Sequence, residues 1–220
     1  MPLGPAPPTS LLAGLPTFRL AGLVMHRVHR RERASPWWFA SAPGDPEHGG
    51  RFDLPTPRGT CYLATTPAGA VLEALQGFGA GLLPEAELRT RVRSTVTAPG
   101  SAPVAAHLTD RRARGYGVTA ALWAAPGRAL TQQWAAALAR AGWLALRCGL
   151  QHDPTGHLRA VALFDDAGEH PPYDDEAGWA FTQVPLHEDA ASRAALAAHG
   201  ITVTVDPELP LVSLEDSGLR

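Results

Sequence analysis

The sequence predicts a mixed α/β (α+β) fold: a single domain around a mixed sheet, followed by a C-terminal extension. Three observations predict it. At 220 residues, 45% of them hydrophobic, the chain can bury one sizeable core. Apolar runs of strand length and runs with helical spacing follow one another irregularly, without the βαβ alternation of a doubly wound sheet. The GxGxG stretch "GFGAGLL" (77–83) follows a helix and lacks the strand–turn–helix setting of a dinucleotide fingerprint.

The elements follow in order. Residues 1–16, rich in proline and small residues, read as a disordered tail. "LVMHRV" (23–28) alternates as a strand does. "RASPWWFASAPGDPEHGG" is a long loop punctuated by Pro and Gly and carrying two adjacent tryptophans, Trp37 and Trp38. "TCYLAT" (60–65) reads as a buried strand. Thr66 then offers an N-cap with Pro67 at the first helical position, for a helix running to about Gly77. "LRTRVRSTVTA" and "APVAAHL" read as strands, "DRRARGYG" and "AALWAA" as short helices. A stronger helix, "QQWAAALARAG", is expected to be capped by Thr131 and closed by Gly142. "WLALRC" and "RAVALFD" are strands flanking the loop "GLQHDPTGHL". The acidic stretch "DDAGEHPPYDDEAGW" is irregular, and a strand "AFTQVPL", a helix near 189–199 and a strand "ITVTV" end the chain. These divide the chain into the tail (1–16), the main domain (17–180) and an extension (181–220) that is expected to cap the domain or mediate oligomerisation, a homodimer included.

The net charge of −2 gives no reason to expect direct nucleic-acid binding or an anionic membrane surface. All 19 cationic residues are arginine, so an arginine here argues less for bidentate chemistry than it would in a chain that also uses lysine. Cys61 and Cys148 lie far apart in apolar runs and read as buried small hydrophobes, neither a disulfide nor a metal pair. The N-terminus lacks a cationic region and no segment approaches the ~20 apolar residues of a membrane span, so a cytoplasmic protein is the expectation.

The stretch "GGRFDLPTPRGTCYLATTPAGAVLEALQG" (49–77) places Arg51, Tyr62 and Glu73 at equal intervals. On a helix, Glu73 shares its face with Gly69, Ala70, Gln76 and Gly77, a stripe kept small enough for something to approach. Its plain alternative is a solvated surface glutamate. Arg51 follows two glycines, where a loop passes close to a ligand and a guanidinium can clamp a phosphate; a surface arginine in a turn is the alternative. Tyr62 is equally readable as core, and Arg27 as part of a basic loop, "HRVHRRER", facing the acidic stretch at 165–176. His152, Asp153 and His157 share one loop, but no supporting motif makes them a metal site, and none is predicted. No GxSxG, Walker A or HExxH pattern occurs.

Taken as an ordered series, "VMHRVHR", "GGRFD", "CYLATTPAGAVLEAL" and "TQQWAAALARAGWLALR…AVALF" resemble the RES domain, over roughly residues 22–166. The resemblance implies an ADP-ribosyltransferase-like fold and matches Arg27, Arg51, Tyr62 and Glu73 to the family's arginines, tyrosine and glutamate. Members are typically toxins of bacterial toxin–antitoxin pairs that degrade NAD by phosphorolysis or hydrolysis. A small antitoxin with a helix-turn-helix DNA-binding region usually blocks the site. By that resemblance NAD is a substrate, inorganic phosphate a co-substrate, and no resident cofactor is needed. Glu73, Arg51 and Arg27 would be catalytic, with Arg27 and Arg51 holding phosphate groups and Tyr62 orienting the ribose or stacking on nicotinamide. The loop at Trp37 and Trp38 would cover the ligand. Two departures stand out. Leu150 falls where the family has its serine, with Thr155 a substitute only if the loop is remodelled, and Asp53 stands where asparagine is common. The readings left open are an NAD-degrading toxin, a protein ADP-ribosyltransferase, and a degenerate domain that only binds.

Overall fold

The computed structural model describes residues 3–42, 44, 48–75, 81–153, 155–170 and 178–205. From the N-terminus run α1 (Thr9–Leu12), β1 (Thr17–Arg19), β2 (Val24–Arg30), β3 (Trp38–Phe39), β4 (Arg58–Ala64) and α2 (Pro67–Ala74). Then come β5 (Leu82–Pro84), α3 (Glu85–Arg89), β6 (Arg91–Thr97), β7 (Val104–His107), a 3-10 helix (Arg111–Tyr116), α4 (Ala121–Ala124) and α5 (Ala129–Arg140). The remainder is β8 (Ala145–Gly149), β9 (Arg159–Asp166), β10 (Gly168–Glu169), β11 (Ala180–Pro185), α6 (Ala190–Ala198) and β12 (Thr202–Thr204).

Eight strands form one mixed, mainly antiparallel sheet in the order β1-β7-β8-β9-β4-β2-β6-β11, in which β7 and β8 are the parallel pair. Its strands are unequally joined. β4 and β9 pair over seven residues, as do β2 and β6, whereas β2 and β4 meet at the single pair His26↔Ala64. The sheet is thus two half-sheets, β1-β7-β8-β9-β4 and β2-β6-β11, fastened at one point and parting on either side of it.

Alternation along the strands sorts the core into layers. On one face Tyr62, Leu146, Cys148, Ala162 and Phe164 pack with Trp134, Ala135 and Leu138 of α5. On the other, Cys61, Leu63, Ala145, Val161 and Leu163 pack with Trp37, Phe39 and Trp179. A third cluster joins α2 (Val71, Leu75) to Val28, Leu186 and Leu196.

Several expectations are corrected. Residues 3–16 do not form a loose tail: Leu12 and Leu15 are buried against α5. The indoles of Trp134 and Trp143 donate to the carbonyls of Gly4 and Leu12, at 2.8 and 2.9 Å. Proline and small residues here serve close packing on an apolar helix. Residues 181–205, by contrast, carry the expected strand, helix and strand, and they join the sheet and core of the domain. β11 pairs with β6 over six residues. α6 adds Leu196 to the cluster under α2, and the Arg93 guanidinium grips Asp189, just before α6, at 2.5 and 3.0 Å. Thr66 does cap α2, its hydroxyl accepting from Gly69 N at 3.1 Å, but Gly77 lies outside the described residues. α5 begins before Thr131, whose hydroxyl turns instead to the carbonyls of Arg51 (2.8 Å) and Arg128 (2.9 Å). Residues 171–177, nearly half of the acidic stretch, also lie outside the described residues.

Candidate active site

A cavity of about 260 Å³ opens where the two half-sheets part, and Arg27, Arg51, Tyr62 and Glu73 all line it. β2 supplies its near wall, β4 and α2 its floor, and the turn at 49–53 its rim. Of the residues lining it, Glu73 is the one carboxylate.

The rim is fixed from below. Asp53, 2% exposed, accepts from Gly50 N at 2.6 Å and from the Tyr62 hydroxyl at 2.8 Å. The same hydroxyl accepts from Phe52 N at 2.8 Å, and Thr60 Oγ1 donates to Phe52 O at 2.7 Å. From the α5 side, Gln132 Nε2 donates to Gly50 O at 2.9 Å and Arg128 donates to Gly49 O. Gly50 must be glycine because a β-carbon there would fall 2.5 Å from Asp53 Oδ1 and 2.6 Å from the Tyr62 oxygen. Burial pushes the Asp53 carboxyl up and the Tyr62 phenol far up, so the two share a hydrogen bond in a poorly solvated place. Tyr62 therefore holds the rim through its hydroxyl; that oxygen is already engaged twice by protein groups.

The clamped turn aims Arg51 inward. The residue is 8% exposed, and its Nη2 donates to Gln151 Oε1 at 2.5 Å. Its Nη1 is buried without a hydrogen-bond partner among the described residues. A buried guanidinium nitrogen with nothing to donate to is costly unless an anion completes it. Burial, then the like charge of Arg128, lowers the Arg51 pKa, while Glu73 opposes them. Glu73 accepts from the backbone N–H of Gln151 at 3.2 Å. Gln151 thus links the arginine and the carboxylate: one side chain, one backbone group, both within the cavity wall.

Arg27 belongs to the site differently. The pair His26↔Ala64 sets its side chain on the opposite face of the sheet from Tyr62. Its Nη1 reaches the carbonyls of Pro36 (2.5 Å) and Trp38 (3.0 Å) and the sulfur of Cys61 (2.6 Å). It braces the tryptophan loop while lining the cavity's edge. That loop does not cover the cavity: Trp37 is fully buried edge-on to Trp179, at 5.3 Å, in the opposite core layer. The indole at the cavity is that of Trp123, seated against Gly149, where a side chain would collide with its ring.

Leu150 is 4% exposed and its methyl packs 3.1 Å from where a Gly69 β-carbon would lie, so it serves the junction of β8 and α2. Thr155 is no substitute for a serine at 150, because its hydroxyl is spent on Asp153 at 2.6 Å. Asp153 in turn accepts from the backbone of Thr155 and Leu158, which ties the 153–158 loop to itself. Among the described residues no cluster of three His, Cys, Asp or Glu is arranged to hold a metal. Cys148, whose thiol burial pushes up to about 12, is an un-ionised wall residue.

Sequence reasoning missed Gln151, Arg128 and Trp123. For Gln151 a signal existed: it adjoins the position where a polar residue was expected. Arg128 and Trp123 lie in "LWAAPGR", whose composition marks only a helix and a turn.

A family model described as the RES domain matches residues 24–182. The chain belongs to the RES domain family. A chain of "Crystal structure of the M.tuberculosis MbcT-MbcA toxin-antitoxin complex" superposes with a TM-score of 0.57 at 14% identity, covering 86% of this chain and 94% of that one. No curated protein matches the sequence significantly. At that identity the likeness speaks to fold alone. Among the described residues no helix is long and apolar enough to cross a membrane.

Proposed function

We propose that this RES protein is the toxin of a toxin–antitoxin pair and degrades NAD by cleaving the nicotinamide–ribose bond. The observation that carries the reading is the meeting of Glu73 and Arg51 across Gln151 in one cavity, with Arg51 Nη1 left for an anion. As the C–N bond breaks, nicotinamide leaves with the bonding pair and the ribose takes on oxocarbenium-like charge. Glu73, the carboxylate lining the cavity, stabilises that charge and orients the incoming water or phosphate. Arg51, with Arg128 beside it, holds phosphate oxygens. Arg27 keeps the edge of the cleft in place. The similar structure comes from a toxin–antitoxin complex, which supports an antitoxin partner for this chain; covering this cavity is the mode of inhibition we propose for it.

Leu150 favours one second reading, a domain that binds NAD without turning it over, because a buried methyl cannot supply the hydrogen bond of a serine. Purified protein, freed of any partner, is to be assayed for NAD loss with and without inorganic phosphate, beside Glu73→Ala. Release of nicotinamide that Glu73→Ala abolishes is expected, and phosphate dependence identifies the acceptor. Radiolabel transferred to protein instead of a free product would indicate a transferase. NAD binding without nicotinamide release would leave the binding-only reading.

A further inference from the structure

A second cavity, of about 400 Å³, lies beyond Trp123, which lines both. Its walls come from the end of β7, the 3-10 helix, residues 118–120 and the 156–159 segment. Three guanidinium residues, Arg111, Arg114 and Arg159, line it. The one carboxylate there, Asp110, is already taken: Arg112 binds both its oxygens, at 3.0 and 2.9 Å, and also donates its backbone N–H at 2.8 Å. His107 stands 3.7 Å from the same carboxylate. The cavity therefore keeps a positive balance. A buried donor in the lining supports a polar ligand, since Thr119 Oγ1 has no hydrogen-bond partner among the described residues. Apolar surface is present as well, from Leu108, Val118 and the Trp123 ring.

We propose that this second cavity receives the adenosine-diphosphate half of the dinucleotide. The nicotinamide riboside end occupies the Arg51–Glu73 cavity, and the ligand crosses over Trp123. Arg111 and Arg114 meet the diphosphate through charge-assisted hydrogen bonds, and the indole offers a face to the adenine. The assignment rests on the NAD reading above, but its ligand chemistry, an adenine nucleotide diphosphate, can be tested without turnover.

The test is calorimetric titration of the full chain and of its Arg111→Ala/Arg114→Ala variant with ADP, nicotinamide riboside and inorganic phosphate. Both arginines are exposed, so the variant keeps the core intact. ADP is expected to bind the wild type and to lose at least tenfold in affinity in the variant, about what one lost charged hydrogen bond gives. Nicotinamide riboside, which carries no phosphate, is expected to change less than twofold. Absence of ADP binding to the wild type, or equal ADP binding by both proteins, overturns the proposal. Inorganic phosphate that binds as tightly as ADP with the same arginine dependence also overturns it, because the cavity would then be a free-phosphate site. Arginine-dependent ADP binding by a protein that releases no nicotinamide would sustain the cavity and sink the NAD-cleaving reading alone.

Discussion

Replacing Gly50 by alanine should damage the site by displacing the groups that clamp its rim. The new methyl would lie 2.5 Å from Asp53 Oδ1, 2.6 Å from the Tyr62 oxygen and 2.9 Å from Tyr62 Cε2. Ordinary carbon contacts begin near 3.5 Å, so the turn or the tyrosine must give by about 1 Å. Neither moves freely. Gly50 N is held by Asp53 at 2.6 Å, Gly50 O by Gln132 at 2.9 Å and Arg51 O by Thr131 at 2.8 Å. Overpacking costs about 1–3 kcal/mol. Each hydrogen bond broken to relieve it adds about 1 kcal/mol. The sum, about 2–5 kcal/mol, corresponds to a fall in Tm of roughly 5–15 °C for a chain of this length. Thermal unfolding followed by circular dichroism checks it, with Gly100→Ala as control, since nothing lies within 4 Å of a β-carbon there. The control should melt within about 1 °C of wild type. A Gly50→Ala protein that melts with its control would refute the claim that the rim is clamped.

The same clamp makes Tyr62→Phe costly, by about 1–3 kcal/mol in urea unfolding, because Phe52 N–H and Asp53 each lose a partner. Asp53→Asn should cost less than Asp53→Ala, since burial already raises the Asp53 pKa and disfavours its charge; equal urea midpoints for the two variants would contradict this. Removing Asp189 leaves Arg93 buried without its counter-charge, so Asp189→Ala should lose about 3–5 kcal/mol, measured by the same unfolding. His26 and His29 are held down to about 4, mainly by burial, so the unfolded chain takes up their protons near pH 6.5 while the folded one does not. The stability these two histidines contribute should therefore fall as pH drops from about 6.5 to 4 and level off below, and a His26→Asn/His29→Asn protein should show a flatter profile across that window.

Much of the strand and helix order was legible because its signals are local. Alternation marked β2, short apolar runs marked β4, β8 and β9, and Thr66-Pro67 marked the start of α2. Glu73 and Arg51 were legible for a related reason: a carboxylate over a small-residue stripe and an arginine after two glycines are visible in short windows. What stayed hidden depends on contacts across long separations. Leu12 and Leu15 are ordinary residues in a proline-rich run until Trp134 and Trp143 pack and bond to that segment. Arg27 is indistinguishable from a ligand-binding arginine until register sets it on the face of Cys61. Trp37 and Trp123 are both tryptophans near turns, and only the sheet decides which one borders the cavity.

The single fastening between β2 and β4 has a consequence for how the molecule can come apart. The chain passes from one half-sheet to the other between β1 and β2, β2 and β4, β4 and β6, β6 and β7, and β9 and β11. It is laced, in the sense of a boot: the two flaps are barely sewn to each other along the tongue, yet the cord crosses repeatedly and neither flap can be lifted away. No scission of the backbone yields two fragments that each own one flap. The gap can breathe where hydrogen bonds are few, while dissociation of its walls requires the whole cord to be withdrawn.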